Sequence, residues 1–229
     1  MSSASKSPAF RKFRQFRSRF RRFVPGLFVL AKGISLIYSR RSFLRQSGYV
    51  ESVRTKRPCR ADGSPIPWMN YAVIAFLEDR LNKEMTLFEY GSGNSTLFFA
   101  KQVGRVVSVE CDQSWHDYVK DSLPANVELL LAPKGGDEYV QIIDKQDEKF
   151  DVVIVDAEDR VACMTYADRC LSDAGVLLLD DAAPENFGDG IDTLLARGFR
   201  RLDFEGLKPG SVRCYRTTIF YRPGNCFGI

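Results

Sequence analysis

The strongest constraint on the fold is an alternation of five short β-rich runs with helical stretches across residues 86–180. The runs are 86–90, 105–110, 127–132, 150–156 and 175–180. Between them the apolar spacing predicts helices near 95–103, 113–122, 137–145 and 161–171. Strand–helix–strand units at this spacing require crossover connections, and therefore a parallel sheet. Val152-Val153-Ile154-Val155 and Val176-Leu177-Leu178-Leu179 are apolar without a break. Such runs suit strands covered by helices on both faces.

The chain ends differently. A helix near 191–197 is expected to stop at Gly198, and two β-rich runs follow, 199–204 and 213–222, around Lys208-Pro209-Gly210. With no helix between them they should pair antiparallel. A further helix is expected over 68–81, with Tyr71, Ile74, Leu77 and Leu81 on one side. The Pro/Gly-rich stretch 54–67 reads as a connector. Two units are therefore expected: a basic N-terminal extension and connector over 1–60, and one α/β domain over 61–229.

Charge divides along the same line. The chain carries a formal +4, but residues 1–60 hold sixteen Lys and Arg against one acid, Glu51, while 61–229 carry a net −11. Phe10, Phe13, Phe16, Phe20, Phe23 and Leu27 recur every three or four residues, with Arg and Lys between them. That is a basic amphipathic helix. Residues 10–27 thus suit peripheral contact with a membrane, an acidic partner, the chain's own domain or a dimer mate, and an Arg-rich presequence has the same composition. The apolar stretch 23–38 is interrupted by Pro25, Gly26, Lys32 and Gly33 and falls short of the roughly 20 residues a bilayer span needs. Nothing resembles a nucleic-acid-reading module. The six cysteines form no CxxC, the one histidine, His116, stands apart from any cysteine pair, and no zinc spacing results. Cysteines in apolar segments suit a reducing, cytoplasmic setting, with association to a membrane left open.

The first strand runs into Glu89-Tyr90-Gly91-Ser92-Gly93-Asn94-Ser95-Thr96. Glycines permit a sharp turn and close approach of a ligand. Ser95 or Thr96 can cap the helix that follows, whose N-terminal N–H groups favour an anion. In parallel sheets ligands bind at the carboxyl ends of strands, where this loop falls. Glu110 ends the second strand nineteen residues after Gly91, placed to accept hydrogen bonds from the ribose hydroxyls of an adenosine. A dinucleotide fingerprint would want a third glycine where Thr96 stands, and that argues against a nicotinamide enzyme.

The Glu-x-Gly-x-Gly turn, the acid ending strand two, Asp156 ending strand four and the antiparallel close resemble the class I S-adenosylmethionine-dependent methyltransferases, over about residues 66–222. The strings Ile66-Pro67-Trp68 and Phe88–Thr96 are similar to an uncharacterised bacterial branch. The resemblance implies a three-layer α/β/α Rossmann-like fold with a mostly parallel seven-stranded sheet, order 3-2-1-4-5-7-6, and a C-terminal antiparallel hairpin. It implies S-adenosylmethionine as cofactor. Gly91, Ser92 and Gly93 would lie along its methionine and ribose, with Tyr90, Asn94, Ser95 and Thr96 completing the turn. Glu89 would support the turn or the ligand ammonium, and Glu110 would hold the ribose. Cys111, Asp112 and Trp115 would flank the adenine, with Asp137 near its amino group and Asp156 at the cofactor.

Asp156, Asp180 and Asp181 all end predicted neighbouring strands. Catechol-type and macrolide-type O-methyltransferases place a divalent metal on a similar set, and clustered carboxylates suit magnesium. Without metal, Asp156 or Asp181 could serve as general base. Arg160 could orient an anionic acceptor or pair with Asp156. The expected activity is methylation of a small-molecule acceptor, at a hydroxyl. Two other readings share the fold: an aminopropyl transferase, and a non-catalytic adaptor that uses the Phe/Arg helix for a membrane or partner.

Overall fold

The structure is a computed structural model and describes residues 25–229. Most of the predicted amphipathic stretch, residues 10–24, lies outside the described residues. The chain enters as helix α1 (Pro25–Tyr38), with proline in the first turn, where its missing N–H costs nothing. Two short helices follow, α2 (Phe43–Gln46) and α3 (Tyr49–Thr55). α4 (Tyr71–Arg80) opens the α/β body, and Asn70 caps it by accepting from the Val73 N–H at 3.0 Å.

The sheet comprises β1 (Thr86–Tyr90), β2 (Arg105–Glu110), β3 (Val127–Leu131), β4 (Phe150–Val155), β5 (Leu171–Leu179), β6 (Arg200–Leu207) and β7 (Cys214–Tyr221). Their order is β3-β2-β1-β4-β5-β7-β6, the order the resemblance implies. Pairing is parallel through β5, and β7 runs antiparallel to both β5 and β6. The intervening helices are α5 (Asn94–Gln102), α6 (Gln113–Val119), α7 (Asp137–Gln141), α8 (Arg160–Ala167) and α9 (Pro184–Ala196).

Side-chain alternation explains the unbroken apolar runs. Phe88, Val107, Val153, Val155, Leu177 and Leu179 face a core completed by α7, α8 and α9. Leu87, Val106, Val152, Ile154, Val176 and Leu178 face the other, completed by α4 and α5. Each fully buried Leu or Phe contributes about 1.5–3 kcal/mol, so neither layer of helices is dispensable.

Several boundaries differ from the sequence expectation. β5 begins at Leu171 rather than 175, because a register irregularity after Phe150 lets Leu171 pair with it. α9 begins at Pro184 rather than 191; Gly188 and Gly190 lower its intrinsic helix propensity and hide it from a pattern search. α1 to α3 have no counterpart in the sequence reading. Residues 49–60 pack closely on the body. Ser52 Oγ donates to the Cys59 carbonyl at 3.0 Å, and Asn94 Nδ2 donates to that of Pro58 at 2.8 Å. Arg60 also pairs with Glu78.

Candidate functional site: a turn, two carboxylates and a buried lysine

The carboxyl ends of β1, β2 and β4 are laced together by backbone hydrogen bonds. Gly91 N donates to Val109 O at 2.9 Å, and Asp156 N donates to Tyr90 O at 3.2 Å. Gly91 has φ +112° and Gly93 φ +149°, conformations open to glycine and strained for other residues. A Cβ on Gly91 would stand 2.9 Å from the Asp156 carbonyl oxygen. The turn thus needs glycine both for its backbone angles and for close packing.

Glu89 holds the turn from beneath. Thr96 Oγ1 donates to its carboxylate at 2.7 Å and Ser108 Oγ at 3.0 Å, while Thr96 Oγ1 accepts from Gly93 N at 3.0 Å. Burial pushes the Glu89 carboxyl up to about 7; the Ser95, Thr96 and Ser108 donors pull it down, and Asp156 raises it further. Thr96 therefore links the backbone of the turn to its buried acid.

Glu110 is held by backbone amides on one oxygen and by a side-chain hydroxyl on the other. Its Oε1 accepts from the backbone N–H groups of Cys111 (2.8 Å) and Asp112 (2.9 Å), and its Oε2 accepts from Ser92 Oγ at 2.5 Å. A diol could take the place of the Ser92 hydroxyl on Oε2 while the two amides keep the carboxylate oriented. Glu89, Gly91, Ser92, Ser95, Glu110, Cys111 and Asp156 line one cavity of about 290 Å³, with Tyr139, Ala157, Glu158 and Arg160.

Other sequence-predicted residues lie elsewhere. The Tyr90 side chain is buried in the core, its hydroxyl donating to Val140 O at 2.6 Å. Asp112 caps α6 by accepting from Trp115 N at 3.0 Å. Trp115 does not join Cys111: its Nε1 donates to Ser92 O at 3.2 Å and its ring faces a second cavity, which Asn94 also lines. Asp137 is exposed at the start of α7, and Tyr139, two residues on, reaches the first cavity instead. The helix turns Tyr139 inward and Asp137 outward, a difference the loop sequence does not encode.

The proposed magnesium set is not assembled. Lys208, on the loop between β6 and β7, is 5% exposed, and its Nζ lies 2.6 Å from Asp180 and 2.5 Å from Asp181. Asp180 is fully buried and also accepts from Thr217 Oγ1 at 2.6 Å. Asn70 Nδ2 donates in turn to Thr217 Oγ1 at 3.1 Å. Asp156 pairs with Arg160 at 2.7 Å. An ammonium thus stands where a cation would have to bind, and among the described residues no group of three or more His, Cys, Asp or Glu could hold a metal ion. The residues do not fit magnesium. Burial pushes the Asp180 carboxyl up, as do Asp156 and Asp181, with Lys208 opposing. Burial works against the Lys208 charge, but the two aspartates together hold its ammonium above the usual lysine value. Asp181 adopts φ +52°, which turns it toward Lys208 and into a third cavity with Trp68, Asp156 and Tyr215.

The fold is that of the class I, Rossmann-like methyltransferases. An rRNA methylase from Streptococcus thermophilus superposes with TM-score 0.50 at 15% identity, covering 65% of this chain and 92% of that one. A methyltransferase from Pyrococcus furiosus gives 0.48 at 18%, covering 66% and 81%. The spermidine synthase from Thermotoga maritima gives 0.47 at 15%, covering 66% and 56%. At 15% identity the likeness to the Streptococcus thermophilus methylase is one of fold. No family model matches the chain, and no curated protein matches it.

Proposed function

We propose that this protein binds S-adenosylmethionine in the cavity at the ends of β1, β2 and β4 and transfers its methyl group to a hydroxyl of a small-molecule acceptor. One observation carries the reading: the glycine turn and the Glu110 carboxylate, whose Oε2 is held only by the Ser92 hydroxyl, open onto the same cavity. Glu110 takes the ribose hydroxyls in place of Ser92. Gly91 leaves room for the ligand along the turn, and Cys111, Ala157 and Tyr139 supply apolar surface for the adenine.

The transfer is an in-line displacement, so the protein chiefly positions the two reactants. S-adenosylmethionine held by the Gly91 turn and Glu110 would supply an electrophilic methyl group, with the neutral thioether as the leaving group that balances the new oxygen–methyl bond. The acceptor's proton passes to Asp181, which faces the cavity shared with Asp156, and the Lys208 ammonium stabilises the oxygen as it loses that proton. No metal enters this scheme.

Residues 10–27 are proposed as a peripheral membrane contact, which α1 continues. α1 supports this, since none of its residues is buried and Lys32 is its one charged residue. No described helix is long and apolar enough to cross a membrane.

Calorimetric titration with S-adenosylmethionine and with its demethylated product tests the cofactor reading. Both should bind, and Glu110→Ala should weaken each at least tenfold, as expected for losing a charged hydrogen bond of about 1.5–3 kcal/mol. Absence of heat with either ligand overturns the reading. Chelator should leave binding and turnover unchanged.

A further inference from the structure

The largest cavity described, about 630 Å³, shares Ser92 and Ser95 of the glycine turn with the first cavity. Its walls are mostly apolar, with Trp68, Trp115, Tyr118, Leu97 and Leu123, and Ser92, Asn94, Ser95 and Ser122 add polar groups. Trp68, Trp115 and Tyr118 are 56%, 42% and 60% exposed, an unusual amount of ring surface left open to one concavity. The edge bears Lys56 and Arg57. These two belong to the basic N-terminal segment, yet the body they meet carries a net negative charge. The Arg57 side chain and the backbone beside it are fixed in place. Arg57 Nη2 donates to Tyr118 OH at 3.1 Å, and the next residue, Pro58, accepts from Asn94 Nδ2 at 2.8 Å. Asp156 lines this cavity as well as the cofactor cavity and the Asp181–Lys208 cavity, so all three meet at one residue.

We infer that this cavity receives the acceptor, and that the acceptor is an anionic amphiphile: an apolar body held by Trp68, Trp115 and Tyr118, with an anionic group paired to Lys56 and Arg57. The mostly apolar walls favour an apolar body, because polar groups buried against indole and leucine are left without hydrogen bonds. The two cations on an otherwise acidic body select against a positively charged one. The acceptor role rests on the methyl-transfer reading; the ligand class of the cavity does not.

Trp68 and Trp115 are the only tryptophans in the chain, so intrinsic emission reports on this cavity. The full-length protein, with the demethylated cofactor at saturation, is titrated with decane-1-sulfonate below its micellar concentration. The expected result is a saturable blue shift, at least tenfold weaker for decyltrimethylammonium. The Lys56→Glu/Arg57→Glu variant should abolish that preference while still binding the demethylated cofactor. Equal response to both surfactants, or competition between decane-1-sulfonate and the cofactor product, overturns the inference. So does a response to a ten-nucleotide RNA with none to decane-1-sulfonate. Charge-selective binding without any heat from cofactor would keep the ligand class and sink methyl transfer.

Discussion

Single residues set the chemistry at the turn, and two of them make sharp tests. Gly91→Ala adds a Cβ 2.9 Å from a backbone oxygen at φ +112°. Neither obstacle can be relieved by a flexible side chain. The variant should lose roughly 1–3 kcal/mol of stability and at least tenfold in cofactor affinity, by denaturant titration and calorimetry. Wild-type affinity in a folded Gly91→Ala protein would show that the turn does not contact ligand. Glu89 makes a pH test. Its carboxyl rises from an ordinary 4.5 to about 7 in the folded chain. Between those values the folded protein holds a proton that the unfolded chain has released. Stability from this group is therefore greatest below about pH 4.5 and is lost as pH rises through 7. The full effect is about 3 kcal/mol. Urea denaturation from pH 5 to 8 should show a smaller decline for Glu89→Gln than for wild type. Parallel pH profiles would mean that Glu89 is ionised throughout.

Glu110 and the glycine turn were legible in the sequence because both follow from local rules: a strand end, a fixed spacing, a backbone angle that side chains oppose. Lys208 was not, since its partner Asp180 lies 28 residues away and meets it only when β6, β7 and β5 are side by side. A lysine in a Lys-Pro-Gly turn reads as solvated until the sheet closes over it. Asp112, Trp115 and Asp137 show the same limit from the other direction. Their positions along the chain suit an adenine pocket, but helix phase turns Asp137 to solvent and Trp115 to the neighbouring cavity.

At the scale of elements, the closing hairpin does more than complete the sheet. It delivers Lys208 to the end of β5, and Asn70, at the start of α4, donates to both Phe204 O (3.0 Å) and Thr217 Oγ1 (3.1 Å). One buried network therefore ties α4, β5, β6 and β7 at the edge of the site. Removing its cation leaves Asp180 buried without its counter-charge. Lys208→Met should cost about 3–5 kcal/mol in denaturant unfolding, and adding Asp180→Asn should restore most of that loss. A Lys208→Met protein as stable as wild type would mean that Asp180 is already neutral. The strand order and the antiparallel close were readable from the spacing of β-rich runs and from the resemblance they support. The start of α9 was not, because Gly188 and Gly190 break the pattern that tertiary packing of Ile191 and Leu194 then overrides.

Across the whole molecule, charge and apolar surface are both sorted to the N-terminal side. Leu27, Val29, Leu30, Ile34, Leu36 and Ile37 are all exposed on α1, while the body leaves only scattered residues of the same kind exposed, such as Leu131, Leu195 and Val212. A 14-residue helix spans about 21 Å, too short to cross a hydrocarbon core of about 30 Å but long enough to lie in its surface. Arg40, Arg41 and Arg45 follow it, and basic residues without acids precede it. Each such charge contributes about 1 kcal/mol near an anionic leaflet and fades with salt, whereas apolar insertion does not. Full-length protein should therefore float with vesicles containing phosphatidylglycerol and remain below with pure phosphatidylcholine. Leu30→Glu/Ile34→Glu should reduce flotation at least tenfold at low salt, and high salt should reduce it for the wild type. Equal flotation of wild type and the double variant would assign the attraction to charge alone, and no flotation of either would leave α1 to a protein partner. The membrane reading and the amphiphile cavity make one joint demand. If α1 holds the protein at a bilayer, an acceptor with an apolar body and an anionic group is the kind of molecule concentrated at that surface, and Lys56 and Arg57 stand on the segment that connects the two.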